Sequence, residues 1–459
     1  MKHTQFLFGA LLILVWSCSS DDATLESPAI SSLNCAGVQI TGSPVLNSAF
    51  SGSVAVPYAG GNGLAYESGS PIPSTGVVGL TARLTSGVLS SGEGTLQMVL
   101  SGTPTSSGTA SFAFTFGNQS CSFSVAVSSG STPVVTTGGW SVPTNITPLI
   151  SEINAFKATL SSSQLAQLNY SYSVSHAKKW SNLPQSLYGQ RVGLATSTFS
   201  NAQWSAFYSL LKVLTGSTSN EGNEEYAGII DADNYLFSAG GGSGYGQGNY
   251  YLALLGEPSS TGLWCIQLGG HHGTIIQTYQ NGKLTGGTPS FRSTEPYPTW
   301  VSTSSNKTLQ PLVQEQTTMA AFLGSLSTSE LNAARRSAAQ NDIQLGPAKD
   351  AAFPTTKVGL RIGGLTATQQ DLAMKIIKTY VDDLEDLAAA SVLAKYQAEL
   401  PDTYVSFVGT NAMNTKGDYL LLDGPSVWIE WSMQGGIVIR NGVHPHSVWR
   451  DRKSDYGSN

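Results

Sequence analysis

The stretch "NYYLALLGEPSSTGLWCIQLGGHHGT", Asn249–Thr274, decides the fold. Two apolar runs, residues 249–256 and 263–270, flank the turn-forming segment "EPSSTG". Runs of this length that end in glycine read as strands, and a short Pro/Ser/Gly connection joins such strands as an antiparallel pair. An antiparallel hairpin in mid-chain argues against the regular strand–helix–strand alternation of a doubly wound parallel sheet. The stretch also ends on two adjacent histidines after a Gly-Gly step. They are either a chemical site or a turn that happens to carry imidazoles.

Outward from this hairpin the chain turns helical in both directions, and the helix starts are legible. "LSSSQL" (160–165), "FSNAQW" (199–204), "LSTSEL" (326–331) and "LTATQQ" (365–370) each place Ser or Thr before the helix and Gln or Glu three residues later. That is the capping box, in which two side chains satisfy two orphan backbone amides. The helix after Thr366 sets Leu372, Ala373, Ile376, Ile377 and Tyr380 on one face, as an amphipathic helix requires. Its Asp371, Lys375 and Lys378 read as a solvated face. "DYLLLDGPSVWIEWSMQ" (418–434) reads as two strands or one bent strand. Helices, hairpins, further helices and terminal strands predict an α+β domain over 144–459 with mostly antiparallel strands. No phosphate-binding fingerprint occurs. "GGGSGYGQG" (240–248) lacks the Lys-Ser/Thr ending and reads as a glycine hairpin loop, with a substrate-approach loop as the alternative. Its Ser243 sits in no strand-to-helix elbow, so no Ser-His-Asp arrangement is convincing.

Upstream of this domain, residues 129–143 have the Ser/Thr/Gly composition of a flexible linker. Residues 34–128 carry short runs such as "GSVAVPYAGG", "GTLQMVLSGTP", "GTASFAFTFGN" and "CSFSVAVSSG", separated by Gly/Ser/Pro turns. Alternation in "SFAFTF" and "FSVAV" predicts half-buried strands and an all-β, immunoglobulin-like sandwich. With "TGVVGLTARL", "SGEGTL" and "LSGTPTSSGTASF", this unit resembles a β-sandwich repeat of large surface proteins of Gram-negative bacteria. The resemblance implies a spacer or adhesion module.

The first residues predict export. Lys2 and His3 precede an apolar run from Phe6 to Trp16, too short to span a membrane and typical of a signal peptide over 1–17. "LVWSC" looks like a bacterial lipobox with Cys18 as the lipidated residue; the alternative is cleavage without a lipid. The acidic "SSDD" that follows resembles signals that route lipoproteins to the cell surface, and 18–33 reads as a polar tether. The expected location is the outer membrane, by lipid anchor. Cys35 and Cys121 bracket the sandwich and are expected to pair in an oxidising compartment. Of the 459 residues, 40% are hydrophobic and only 11% charged, a profile that suits an exported β-rich protein. A net charge of −6 with no basic stripe excludes nucleic acid as a partner.

The sharpest chemical signal is the distribution of six histidines. His3 belongs to the leader and His176 stands alone. The rest form two pairs, His271-His272 and His444-Pro445-His446. Residues two apart on a strand share a face, so His444 and His446 point the same way, as two ligands of one metal require. His271 and His272 would point apart on a straight strand, unless Gly269-Gly270 bends the chain. All four are candidate ligands of a transition metal, and imidazoles with a carboxylate suit zinc, copper or iron. Glu430 in "VWIEW" and Glu295 in "TPSFRSTEP" are candidate ligands or general bases. Glu430 could otherwise pair with Arg450 or Arg452, and Glu295 could be an ordinary loop acid. Arg450 and Asp451 are candidates for substrate contact, against a pair that fixes the C-terminus. Cys265, between Trp264 and Ile266, reads as core.

These same blocks carry a family resemblance. Gly269–His272, Thr288-Pro289 with Glu295-Pro296, Gly424-Pro425 with Ile429-Glu430, and His444/His446 with Arg450-Asp451 and Asp455-Tyr456-Gly457 occur in the order of the domain-of-unknown-function 3500 family. The resemblance covers about residues 145–459 and implies no established activity. The expected function is a metal-dependent enzyme outside the cytoplasm, a hydrolase or an oxidase, acting on an extracellular substrate such as a glycan or peptide. The rival is a non-catalytic surface binding or adhesion module, with Trp264, Trp428, Trp431 and Trp449 as stacking platforms for glycans.

Overall fold

A computed structural model of the chain describes residues 27–46, 50–127, 139–337 and 340–458. The leader, Cys18 and linker residues 129–138 lie outside the described residues. The chain divides into two compact units, Met1–Thr132 and Pro133–Asn459.

The first unit is all-β. One antiparallel sheet is built on the long paired strands Phe50–Asn62 and Ser91–Gly102, with Leu80–Leu84 on the other side of Ser91–Gly102. A second pairs Gly108–Phe116 with Gln119–Val127 in strict register. Alternation does the work expected of it. Val54, Val56, Leu96, Met98, Leu100, Phe112, Phe114, Phe123 and Val125 face one shared core, while the residues between them face water. Cys35 and Cys121 form a disulfide across this core, with Cα atoms 5.5 Å apart.

The second unit is built on one large sheet. Its main strands are β1 (Tyr251–Leu255), β2 (Leu263–Gly269), β3 (Gly273–Gln280), β4 (Lys283–Gly286), β5 (Ser290–Ser293), β6 (Tyr404–Val408), β7 (Tyr419–Asp423), β8 (Val427–Gly435) and β9 (Val443–Asp451). The antiparallel path runs β1-β2-β3-β5-β9-β8-β7-β6, with β4 beside β3; the parallel pairing of Asn169–Tyr170 with β1 makes the sheet mixed. The hairpin of the opening stretch pairs Tyr251 with Gly269 and Leu255 with Cys265. The segment 418–434 resolves into two strands, because Gly424 to Ser426 turn the chain between them.

Among the described residues, eight helices of seven or more residues cover one face of this sheet or its rim: α1 (Ile146–Ala158), α2 (Ser162–Leu168), α3 (Asn201–Leu214), α4 (Gly222–Leu236), α5 (Val313–Ser325), α6 (Thr328–Ala334), α7 (Ala367–Val381) and α8 (Asp386–Glu399). All four capping boxes form: Ser161 with Gln164, Ser200 with Gln203, Ser327 with Glu330 and Thr366 with Gln369. Each cap is worth about 1 kcal/mol. Ala373, Ile376, Ile377 and Tyr380 of α7 are fully buried, on the face that the sequence periodicity assigned.

Period-two alternation divides the strand residues between two cores. Leu254, Trp264, Ile266, Ile429, Trp431 and Trp449 pack against the helices. Ala253, Cys265, Ile276, Phe291 and Val448 point to the other face, under Ala177 and Trp180. That second face is covered by the short helix Val174–Ala177 and by irregular chain, and at its end lie the four histidines.

Candidate metal centre

The β2–β3 hairpin is as tight as its sequence allows. Gly269 pairs with Thr274, and the Gly270 N–H donates to the Gly273 carbonyl at 2.8 Å. His271 and His272 are therefore the two residues of the turn itself. A turn removes the up–down alternation of a strand, and the two imidazoles stack, centroids 3.5 Å apart and planes 25° from parallel. Gly270 is required by proximity, since a Cβ there would lie 2.2 Å from the Tyr250 ring. The His272 carbonyl accepts from the Ser293 N–H at 2.9 Å, which ties the turn to β5.

From β5 the register leads to the second pair. Ser293 lies opposite His446, and His446 and His444 lie opposite Ser432 and Gln434 of β8. His444 and His446 share a face, as their spacing predicts. Their Nε2 atoms are 3.2 Å apart. The His272 ring stands 5.5 Å from that of His444 and 6.0 Å from that of His446. One ring nitrogen from each of these three lies within 4.8 Å of the others. Histidines far apart in sequence thus converge because β3, β5 and β9 are neighbours.

Two carboxylates that the sequence reading did not single out complete the cluster. Asp342 accepts from His446 Nδ1, at 2.9 and 3.0 Å to its two oxygens. Asp233 of α4 accepts from His271 Nδ1 at 2.8 Å, and its other oxygen takes the Gly246 N–H at 3.1 Å. A carboxylate on Nδ1 fixes the tautomer and leaves the Nε2 lone pair free for a metal or a proton. His272 and His444 have no such partner: the Nδ1 of each is buried without a hydrogen bond. Burial, reinforced by the neighbouring imidazoles, pushes the His272 pKa well down and that of His444 down to about 2. Both rings are neutral and able to donate a lone pair.

The Nε2 separation, which an N–H···N hydrogen bond between the two rings also gives, matches the bite of a shared ion. Two nitrogens at 2.0–2.1 Å from one tetrahedral ion stand about 3.3 Å apart, close to the 3.2 Å between His444 and His446. Asp233, His271 and His272 form a second, overlapping triad. His271 itself does not join His444 and His446 within that spacing, so it lies beside the three-imidazole set. The glycine segment 240–248 is no hairpin. It continues α4 through a wider turn, Phe237–Gly241, and brings the Tyr245 ring edge-on to His271 at 4.9 Å.

The other expected site residues lie elsewhere. Glu430 is fully buried, and its two oxygens take the N–H groups of Gln344 and Leu345, the Tyr419 hydroxyl and the Trp428 indole. Burial raises its pKa against the pull of these donors. It holds the segment that begins with Asp342, rather than facing the imidazoles as a ligand. Glu295 accepts three successive amides, from Ile437, Val438 and Ile439 at 2.7–2.9 Å, in a backbone nest that shapes the β8–β9 loop. Arg450 pairs with Asp350 at 2.8 Å and Asp455 at 3.4 Å. Asp451 accepts from the Trp140 indole at 2.9 Å and the Tyr396 hydroxyl at 2.8 Å. These two fasten the C-terminus, about 13–17 Å along β9 from His446 at 3.3 Å per residue. Cys265 is buried in the core, its thiol pushed up to about 12.

The expected glycan platforms are corrected by burial. Trp264, Trp428, Trp431 and Trp449 are each 0% exposed and belong to the cores on the two faces of the sheet. None offers a ring to a ligand in solvent.

A family model described as "Protein of unknown function (DUF3500)" matches residues 143–458. No curated protein and no solved structure matches the chain.

Proposed function

The chain belongs to the DUF3500 family, and for this member we propose a hydrolytic centre in which His272, His444 and His446 hold one divalent transition metal. The single observation that carries this reading is the 3.2 Å approach of two imidazole Nε2 atoms, with Asp342 on the far nitrogen of one of them. Three imidazoles with an open position are the donor set of water-activating zinc sites, and copper and iron accept the same donors. Such an ion, when bound, would supply Lewis acidity for the activation of water.

The residues of the chain do the rest. Asp342 fixes the His446 ring and raises its basicity. The hairpin turn sets His272, whose burial keeps it neutral. His271, gripped by Asp233 through Nδ1, keeps Nε2 for a proton. Stacked on His272, it is placed to take a proton from water and return it to a leaving group. A residue placed to move a proton suits the hydrolytic reading, which needs one proton taken from water and one returned. The binding-module alternative loses its support with the burial of the four tryptophans.

We place this activity outside the cytoplasm, on a chain exported as a lipoprotein and held at the outer membrane through Cys18. The apolar leader and lipobox support the anchor, and the Cys35–Cys121 pair suits an oxidising compartment. The sandwich then serves as a spacer, and the substrate is an extracellular glycan or peptide. The test is metal content. The full chain should carry one equivalent of zinc, copper or iron, lost in His444→Ala/His446→Ala without unfolding. A wild-type chain that stays metal-free when offered each ion refutes the reading. Release of Cys18→Ala from membranes tests the anchor.

A further inference from the structure

On the helix face of the sheet, away from the imidazoles, four carboxylates close around one guanidinium. Arg292 follows Phe291 on β5 and so points to the opposite face. It is fully buried and lies over the Tyr380 ring, 4.5 Å from its centroid. It meets Asp383 at 2.6 Å, Glu315 at 3.4 Å and Glu225 at 3.6 Å. Glu221, which precedes the first turn of α4, adds a fourth acid, and all four are at most 4% exposed. One guanidinium faces four buried carboxyl groups, and burial together with their mutual repulsion pushes the Glu221 carboxyl up to about 11 and that of Glu225 well up, so these two hold their protons in the absence of a further cation. Buried charge of this kind is costly unless it is compensated.

The guanidinium does not compensate it. Its short contact goes to Asp383, and the other two distances are at the outer limit of an ion pair. Glu225 is the telling residue. Its side chain is 0% exposed, and neither carboxylate oxygen accepts a hydrogen bond. Oε2 of Glu221 is likewise buried without a donor, and the Glu315 carboxylate has the Glu225 carboxyl itself as a hydrogen-bonding neighbour. One oxygen from each of Glu221, Glu225 and Glu315 lies within 4.8 Å of the others. Two oxygens bound to a common hard cation at 2.3–2.6 Å stand at most about 5 Å apart. The donors are oxygen alone, which selects calcium, magnesium or manganese over the softer ions that imidazoles prefer.

We propose that Glu221, Glu225 and Glu315 form a second, structural site for one hard divalent cation, separate from the histidine cluster. Such an ion fastens the first turns of α4 and α5 to each other beside Arg292. Helix α4 also carries Asp233, so the ion steadies the partner of His271 from two turns away.

The experiment uses the full chain, stripped with chelator and offered calcium, magnesium or manganese singly. Bound metal after gel filtration and thermal stability are measured in wild type, Glu225→Gln, Glu221→Gln and His444→Ala/His446→Ala. One hard ion per chain, with a rise in Tm, is expected in wild type and in the histidine variant. Both effects should vanish in whichever glutamine variants fold. A wild-type chain that retains none of the three ions, and whose Tm none of them moves, overturns the proposal. So does an ion that a folded Glu225→Gln still retains. An ion lost with the histidines and kept by the glutamine variants assigns all binding to the imidazole site, leaving that reading intact and this one refuted.

Discussion

Asp342 grips His446 from behind. Its two oxygens lie 2.9 and 3.0 Å from Nδ1, while Nε2 on the opposite edge of the ring stands 3.2 Å from Nε2 of His444. The carboxylate thereby decides which nitrogen of His446 is free. Its own side chain is 41% exposed, so the fold does not depend on it. Asp342→Asn should leave thermal stability within about 0.5 kcal/mol, as for an exposed position. Metal affinity should fall by about 10–100-fold, the usual cost of losing such a partner. Competition with a chromophoric chelator reads the affinity. Equal affinity in the variant means that Asp342 does not set the ring.

Glu430 acts on the same ring at one remove. Four donors converge on its carboxylate, two of them backbone amides of the segment that carries Asp342. Glu430→Gln keeps the shape but turns one acceptor into a donor facing donors. A loss of about 3 kcal/mol is expected for such buried, charge-assisted hydrogen bonds. Denaturant unfolding measures it. Metal affinity should fall as well, toward that of Asp342→Asn, because the segment is no longer pinned. An unshifted midpoint contradicts the assignment.

These two residues also mark what a sequence can and cannot say. His444 and His446 were legible because a two-residue spacing on a strand has one geometric meaning. The four capping boxes were legible because they are local. The hairpin 249–270 followed from two apolar runs and the turn between them. Asp233 and Asp342 carried no comparable signal. Each reaches its histidine through tertiary placement, Asp233 from α4 and Asp342 from irregular chain over the sheet. Glu430 drew attention because a carboxylate between tryptophans needs partners, but spacing could not distinguish four hydrogen-bond donors from a metal. His271 and His272 required the turn itself, since strand alternation would have set them apart. The tryptophans misled because aromatic content says nothing about which side of a strand faces solvent.

Cys265 gives a chemical check on the core. Its thiol is buried between the sheet and its irregular cover and is pushed up to about 12 by desolvation. At pH 8 about one thiol in ten thousand is then ionised, a tenfold loss per unit. Thiolate is the reacting species, so iodoacetamide should leave Cys265 unmodified in the native chain and label it fully in denaturant. Peptide mapping of the tryptic fragment reports both states. Rapid native labelling would place the thiol at the surface and contradict this packing of β2.

Asp455 supplies a pH dependence with a definite sign. Burial pushes its carboxyl from 3.8 up to about 6, even though Arg450 stands 3.4 Å away. In the unfolded chain the group loses its proton first, near pH 4; in the folded chain it holds the proton until near pH 6. Between these values the native state binds more protons, so this group's contribution to stability falls as pH rises and stays low above about pH 6. Two units at 1.36 kcal/mol each set an upper bound of about 3 kcal/mol. Glu315 and Asp383 are raised as well and add slopes of the same sign, so the readout is a difference. Asp455→Asn should flatten the stability profile between pH 4 and 6 relative to wild type, whatever its effect on the absolute level. Urea midpoints across that range measure both slopes, and parallel profiles for the two proteins would show that Asp455 titrates as it does in the unfolded chain.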